Sequence, residues 1–187
     1  MAGFDKAEGK GTSDVAGLAG LFRRKPREPE LAPLYDAVVA LARDPEWYRQ
    51  GAVPDTLDGR FDMIAAVLAL VLLRIEAEGV AGRAASAMLV ERFVDDMDGQ
   101  LRQIGIGDIL VGKHIGKMVS ALGGRLGAYR EGLGEGDLRP ALTRNLYRGA
   151  EVAPEALALV DARLRRLSDA LAETPFDRLI EGVLPAS

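Results

Sequence analysis

The chain has 187 residues, of which 48% are hydrophobic and 28% charged, a composition typical of one folded domain that needs no metal or disulfide for stability. It contains no cysteine and one histidine, His114, which excludes disulfides, cysteine-ligated metal centres and thiol nucleophiles and argues against a Ser-His-Asp triad. The net charge of −4 argues against nucleic-acid binding through the field of the whole protein.

Residues 1–30 are rich in glycine and offer few apolar side chains, so the sequence predicts a flexible N-terminal arm. Near its end the arm carries four cations, Arg23, Arg24, Lys25 and Arg27. Such cations can contact ribosomal RNA phosphates or anionic lipid headgroups, which makes them the predicted ribosome or membrane contact. A solubilising tail is the favoured interpretation, because Glu28 and Glu30 partly neutralise these cations.

The hydropathy pattern of the sequence contains no signal for export or membrane insertion. The longest apolar stretch, residues 63–73, is shorter than the roughly 20 residues that cross a bilayer. Residues 1–21 contain acidic side chains and no continuous apolar segment, so no signal peptide or mitochondrial presequence is expected. The sequence therefore predicts a cytoplasmic protein, and the basic arm allows a peripheral position at the inner face of the cytoplasmic membrane.

From residue 31 onward, apolar residues recur at helical spacing. A first helix contains Leu34 and Leu41 on one face and ends before Pro45, where a short turn follows. A second helix begins near residues 55–58 and ends at Gly79. Four further helices are predicted at residues 83–104, 108–133, 137–147 and 154–171, with a last short turn at residues 176–180. No segment alternates with period two and the connections are short, so residues 31–187 are predicted to form an all-α, compact bundle of about six helices.

An acidic cluster, Asp95, Asp96 and Asp98, lies near the end of the third predicted helix. Paired carboxylates can hold Mg²⁺, and the pattern is similar to the aspartate-rich motif of isoprenyl diphosphate synthases. This gives one alternative function, a small metal-dependent enzyme that acts on a diphosphate. Those enzymes use two such clusters, so a solvated or partner-binding face is favoured here. Carboxylates late in a helix oppose its dipole, and Arg92 or Arg102 is expected to compensate them.

Lys113 and His114 lie near the start of the fourth predicted helix, where free backbone N–H groups can help to bind an anion. No nucleophile motif accompanies His114, so a structural or exposed histidine is favoured and no catalytic residue, metal ligand or cofactor is assigned.

Small residues recur at spacings of three or four along the same helix, at Gly112, Gly116, Ser120, Gly123, Gly124 and Gly127. Each interior glycine costs up to about 1 kcal/mol relative to alanine. We expect the small residues to allow close approach of another helix of the same chain. The alternative is a shallow groove into which a client helix docks.

Five stretches, read together, carry a family resemblance. They are Leu34-Tyr35, PDTLDGRF at 54–61, FVDDMD at 93–98 with Leu101 and Arg102, GIGD at 105–108 followed by VGK at 111–113, and NLYRG at 145–149. Together they resemble the ubiquinol–cytochrome c chaperone family. The N-terminal arm and the residues after about 150 lie outside the resemblance, which therefore implies no role for them.

The resemblance implies an all-α, non-enzymatic assembly factor for the cytochrome bc1 complex, whose client is newly made cytochrome b. Mitochondrial members act near the ribosome exit with a small partner subunit, and the absence of a presequence here favours a bacterial member. A helical adaptor with another client remains open. The predicted client contacts are polar residues in the matching stretches near helix ends, namely Asp58, Arg60, Asp95, Asp96, Asp98, Arg102, Lys113 and His114.

Overall fold

The computed structural model of the protein describes residues 31–103, 105 and 108–185. Within these residues it has eight helices and no strand: α1 (Ala32–Ala42), α2 (Pro45–Arg49), α3 (Leu57–Glu76), α4 (Val80–Gln103), α5 (Asp108–Glu135), α6 (Arg139–Asn145), α7 (Pro154–Glu173) and α8 (Phe176–Ile180). The predicted all-α class is confirmed. The count exceeds six because the two predicted short turns are the five-residue helices α2 and α8. The N-terminal arm and its four cations lie outside the described residues.

Helix α3 forms the centre of the bundle. Its first turn is capped by Thr56, whose hydroxyl accepts a hydrogen bond from the backbone N–H of Gly59 at 3.1 Å. Every residue from 63 to 72 is buried, and α1, α4, α5 and α7 all pack around it. A helix that is apolar on all sides is stable in water only when neighbours cover it, which is the arrangement found here. Among the described residues, no helix combines the length and hydropathy of a bilayer-crossing segment.

Helix α2 has only five residues and is held in place from α7. Trp47 is fully buried, and its indole donates a hydrogen bond to the backbone carbonyl of Leu41 at 2.8 Å. The guanidinium carbon of Arg163, on α7, lies 4.0 Å from the centroid of the Trp47 ring. Arg163 also donates a hydrogen bond to Asp44, the N-cap of α2, at 2.8 Å. A segment too short to be helical by itself is therefore fixed by tertiary contacts.

The glycines of α5 do not have the role that their spacing predicts. A Cβ atom added at Gly112, Gly116, Gly123, Gly124 or Gly127 would meet no atom within 4 Å among the described residues. The prediction that they allow close approach of another helix of this chain is therefore wrong. The face of α5 that packs into the bundle contains Val111, Leu122 and Tyr129 instead. The glycines lie on other sides of the helix and are exposed.

We expect the substitution Gly116→Ala to raise the free energy of unfolding by about 0.5–1 kcal/mol, because alanine restricts the unfolded chain and no atom obstructs the added methyl group. Urea denaturation measures the change. A matched control is Gly132→Ala in the same helix, where the Cβ atom would lie 2.8 Å from the carbonyl oxygen of Asp137 and stability should fall. Equal effects of the two substitutions would contradict this account.

Candidate functional site

The N-terminal half of α3 carries a buried carboxylate, Asp62, that binds two arginines from distant parts of the chain. Arg125 of α5 donates to Oδ1 of Asp62, and Arg148, which follows α6, donates from Nε to Oδ2 at 2.6 Å. Arg148 also donates from Nη1 to the exposed Asp58 at 2.6 Å. We name these four residues the Asp62 cluster.

The two arginines of the Asp62 cluster are positioned in different ways. The buried Arg125 also donates to the backbone carbonyl of Asn145 at 3.1 Å and lies 5.6 Å from the centroid of the Phe61 ring. Arg148 has a φ of 54°, in the left-handed region that residues other than glycine rarely adopt, and its side chain is half-exposed. The cluster thereby fastens the segment after α6 to α3 and α5.

Burial shifts the pKa values of groups in and next to the Asp62 cluster. Burial raises the pKa of Asp62, and the hydrogen bond from Arg148 and the positive charge of Arg125 oppose that rise. Burial also raises the pKa of Tyr129, on the same face of α5 as Arg125. Each carboxylate oxygen of Asp62 thus accepts a hydrogen bond from a guanidinium group of the same chain. The arrangement therefore serves as a structural clamp.

Beside this clamp the structure has an apolar pocket of about 200 Å³. It is lined by Leu57, Asp58 and Phe61 of α3, Met97, Gln100 and Leu101 of α4, and His114 and Met118 of α5. Leu57 belongs to this lining and is 56% exposed, so part of the apolar surface of the pocket is open to solvent. Methionine side chains adapt to ligands of irregular shape, so the pocket is suited to an apolar side chain of a partner.

Of the eight predicted client contacts, the structure brings two to the apolar pocket. Asp58 and His114 both line it, from α3 and α5. His114 is exposed, as expected for a histidine without a nucleophile motif. Lys113 is also exposed but does not line the apolar pocket. The other five lie elsewhere.

The acidic cluster is divided between a structural contact and the solvent. Asp96 accepts hydrogen bonds from the hydroxyl of Tyr35 at 2.7 Å and from Nε2 of Gln100 at 3.0 Å. It thereby joins α4 to α1, and burial together with this hydrogen bond raises the pKa of Tyr35. Asp95 is exposed beside it, and the two aspartates line one cavity of about 420 Å³. In the part of the chain that the structure describes, no three metal-ligating side chains converge.

The remaining predicted contacts form ion pairs at the surface. Asp98 accepts a hydrogen bond from Nε of Arg102 at 2.6 Å, one turn later on α4, which confirms that Arg102 compensates a carboxylate late in the helix. Arg60 pairs with Asp55 at 2.6 Å, away from the apolar pocket. The eight residues therefore lie on several surfaces, and they do not form one site.

Sequence reasoning missed the Asp62 cluster, although signals for it were present. Asp62 is a charged residue directly before the longest apolar stretch. Arg125 occupies the same face of α5 as Leu122 and Tyr129, where a charge requires a buried partner. These positions predict that a buried ion pair exists, but they do not predict which residues form it.

Residues 49–186 match the protein family described as ubiquinol-cytochrome C chaperone. The structure is similar to a crystal structure of the Cbp3 homolog from Brucella abortus, with a TM-score of 0.76 and 35% sequence identity over 91% of this chain and 96% of that one. No curated protein matches the chain. The fold is therefore that of an assembly chaperone for ubiquinol–cytochrome c reductase, the bc1 complex. The chain belongs to the ubiquinol–cytochrome c chaperone family.

The family match corrects the extent of the resemblance seen in the sequence. It continues to residue 186, so the prediction that residues after about 150 lie outside the family is wrong. These residues form α7 and α8, and α7 packs directly against α3. The helix α7 shows only a regular amphipathic pattern, which many helices share, so its sequence alone does not indicate the family.

Proposed function

We propose that this protein is a non-enzymatic chaperone that binds newly made cytochrome b during assembly of the bc1 complex. The observation that supports it most is the match to the family over residues 49–186, together with 35% identity to a Cbp3 homolog over nearly the whole of both chains. The engagement of Asp96 and Asp98 by other side chains gives no support to the alternative of a metal-dependent enzyme acting on a diphosphate.

We place the client at the apolar pocket. Its rim exposes Leu57, its walls contain two methionines, and Asp58 and His114 add polar groups at the edge. A segment of a membrane protein presents apolar side chains that must be shielded from water before insertion, and such a pocket can cover one of them. The other predicted contacts remain proposed contacts outside the pocket, namely Arg60, Asp95, Asp96, Asp98, Arg102 and Lys113.

The basic arm gives a second part of the proposal. Arg23, Arg24, Lys25 and Arg27 would contact the ribosome or the inner face of the cytoplasmic membrane, where a chaperone for a nascent membrane protein is needed. The protein would accordingly act in the cytoplasm, with a peripheral association with the membrane.

Deletion of the gene in the source organism tests the function. We expect cytochrome b protein to be lost from membranes at unchanged transcript level and to return when the intact gene is restored. Normal cytochrome b in the deletion strain would contradict the proposed client, and capture of another protein by the chaperone would then favour an adaptor.

A pair of variants in the same strain tests the surface. Leu57→Glu places a charge at the rim of the apolar pocket and should fail to restore cytochrome b. Val80→Glu changes the first residue of α4, which is 76% exposed and lies at the opposite end of that helix from the pocket. This variant should restore cytochrome b. Full restoration by Leu57→Glu would reject the apolar pocket as the client site and leave the chaperone function standing.

A further inference from the structure

A third cavity, of about 280 Å³, lies where α1, α2 and the segment before α3 meet. It is lined by Arg43, Pro45, Tyr48, Arg49, Asp55 and Arg60. Three of these six residues are arginines, in a protein whose net charge is −4. We name it the arginine cavity. It is separate from the apolar pocket, and no residue is shared between the two linings.

The polar groups of the arginine cavity are mostly hydrogen-bond donors. Among the described residues, Arg43 and Arg49 form no ion pair, whereas Arg60 donates from Nε to Asp55 at 2.6 Å. The hydrogen bond with Asp55 holds the Arg60 guanidinium through Nε and raises the pKa of Arg60 above its ordinary value. The hydroxyl of Tyr48 donates to the backbone carbonyl of Ala42 at 2.9 Å. A ligand here must therefore supply acceptors and negative charge.

The frame of the arginine cavity is rigid. Arg43 is the C-cap of α1 and Arg49 is the last residue of α2, so each arginine is attached to a helix end. The two helices are connected through Trp47 of α2, which is fully buried and donates a hydrogen bond to the backbone carbonyl of Leu41 in α1. Because the backbone is fixed by these contacts, ligand binding would mainly cost the ordering of the arginine side chains.

We propose that the arginine cavity binds a phosphomonoester group, either of a lipid headgroup such as phosphatidic acid or of a free phosphorylated metabolite. Three guanidinium groups and one carboxylate leave a charge of about +2, which matches the charge of about −1.5 to −2 that a phosphomonoester carries at pH 7. Guanidinium groups also donate paired hydrogen bonds in the geometry that phosphate oxygens accept. This inference does not depend on cytochrome b as the client.

The test uses the full chain at constant ionic strength. Calorimetric titration with inorganic phosphate and with glycerol 3-phosphate measures the free ligand. Sedimentation with phosphatidylcholine vesicles, with and without phosphatidic acid, measures the lipid. We expect at least one phosphomonoester probe to bind, and binding only on phosphatidic acid vesicles would assign the lipid. Failure of both kinds of probe to bind would overturn the proposal.

Two double variants with the same change in net charge distinguish binding at the arginine cavity from nonspecific electrostatic attraction. Arg43→Gln/Arg49→Gln should weaken phosphomonoester binding at least tenfold. Arg83→Gln/Arg166→Gln removes the same charge from exposed positions elsewhere and should change binding less than twofold. Equal losses in both would overturn the proposal. If the first double variant unfolds, Arg60→Gln provides the same test, since that exposed side chain is not part of the core.

Discussion

Replacing Asp62 by alanine is expected to lower the free energy of unfolding by about 3–5 kcal/mol, because Arg125 would remain buried without its charged partner. Arg148 is half-exposed and can return to water, so most of the loss comes from Arg125. Urea denaturation measures the effect. Asp58→Ala removes the exposed member of the same cluster and should cost about 0–1 kcal/mol.

A double variant shows whether charge compensation is the cause. In Asp62→Ala/Arg125→Met both buried charges are absent, and apolar replacements of buried ion pairs are often neutral or stabilising. The double variant should therefore be more stable than Asp62→Ala alone. If it is equally unstable, the carboxylate supports the fold through packing or through Arg148, and compensation of Arg125 is not its main role.

The substitution Gly59→Ala should lower the free energy of unfolding by about 1–3 kcal/mol, as overpacking of a close contact does. The Cβ atom would lie 2.0 Å from the carbonyl oxygen of Pro54 and 2.9 Å from its carbonyl carbon, and a backbone cannot yield as a flexible side chain does. The start of α3 would have to move, together with Leu57 and Phe61 at the apolar pocket. If cytochrome b is the client, as proposed, its binding should fall as well.

Denaturation and client binding measure the two effects of Gly59→Ala. The control is Gly116→Ala on the open side of α5, for which the expected change in stability has the opposite sign. If Gly59→Ala has the stability of the wild-type protein, Pro54 moves away from the added methyl group at little cost. The expected destabilisation by this contact would then be wrong.

The elements that the sequence predicts well are those fixed by local patterns. Thr56 lies in the predicted start of the second helix because a hydroxyl before an apolar run is a typical cap, and the run from Met63 to Leu72 indicates a helix buried on all sides. The helix α2 is different. Five residues give no periodicity to measure, and their helical conformation depends on Arg163, which lies far along the chain.

The candidate site was harder to predict because sequence proximity and spatial proximity differ on a helix. Asp95 and Asp96 are neighbours in the sequence, yet each residue turns the helix by about 100°, so only Asp96 reaches Tyr35. The Asp62 cluster shows the reverse relation, since its members come together from separate segments of the chain. A periodic pattern identifies a buried face, but it contains no information on which charges pair across it.

The central position of α3 has a consequence for the synthesis of this protein itself. The helix leaves the ribosome as residues 57–76, whereas α7, one of the helices that cover it, follows only at residues 154–173. Until then one side of its apolar stretch, residues 63–73, stays open to water. The unfinished chaperone thus presents the same hazard to the cell as an uninserted membrane segment, and a chain interrupted before α7 should be lost to aggregation or proteolysis.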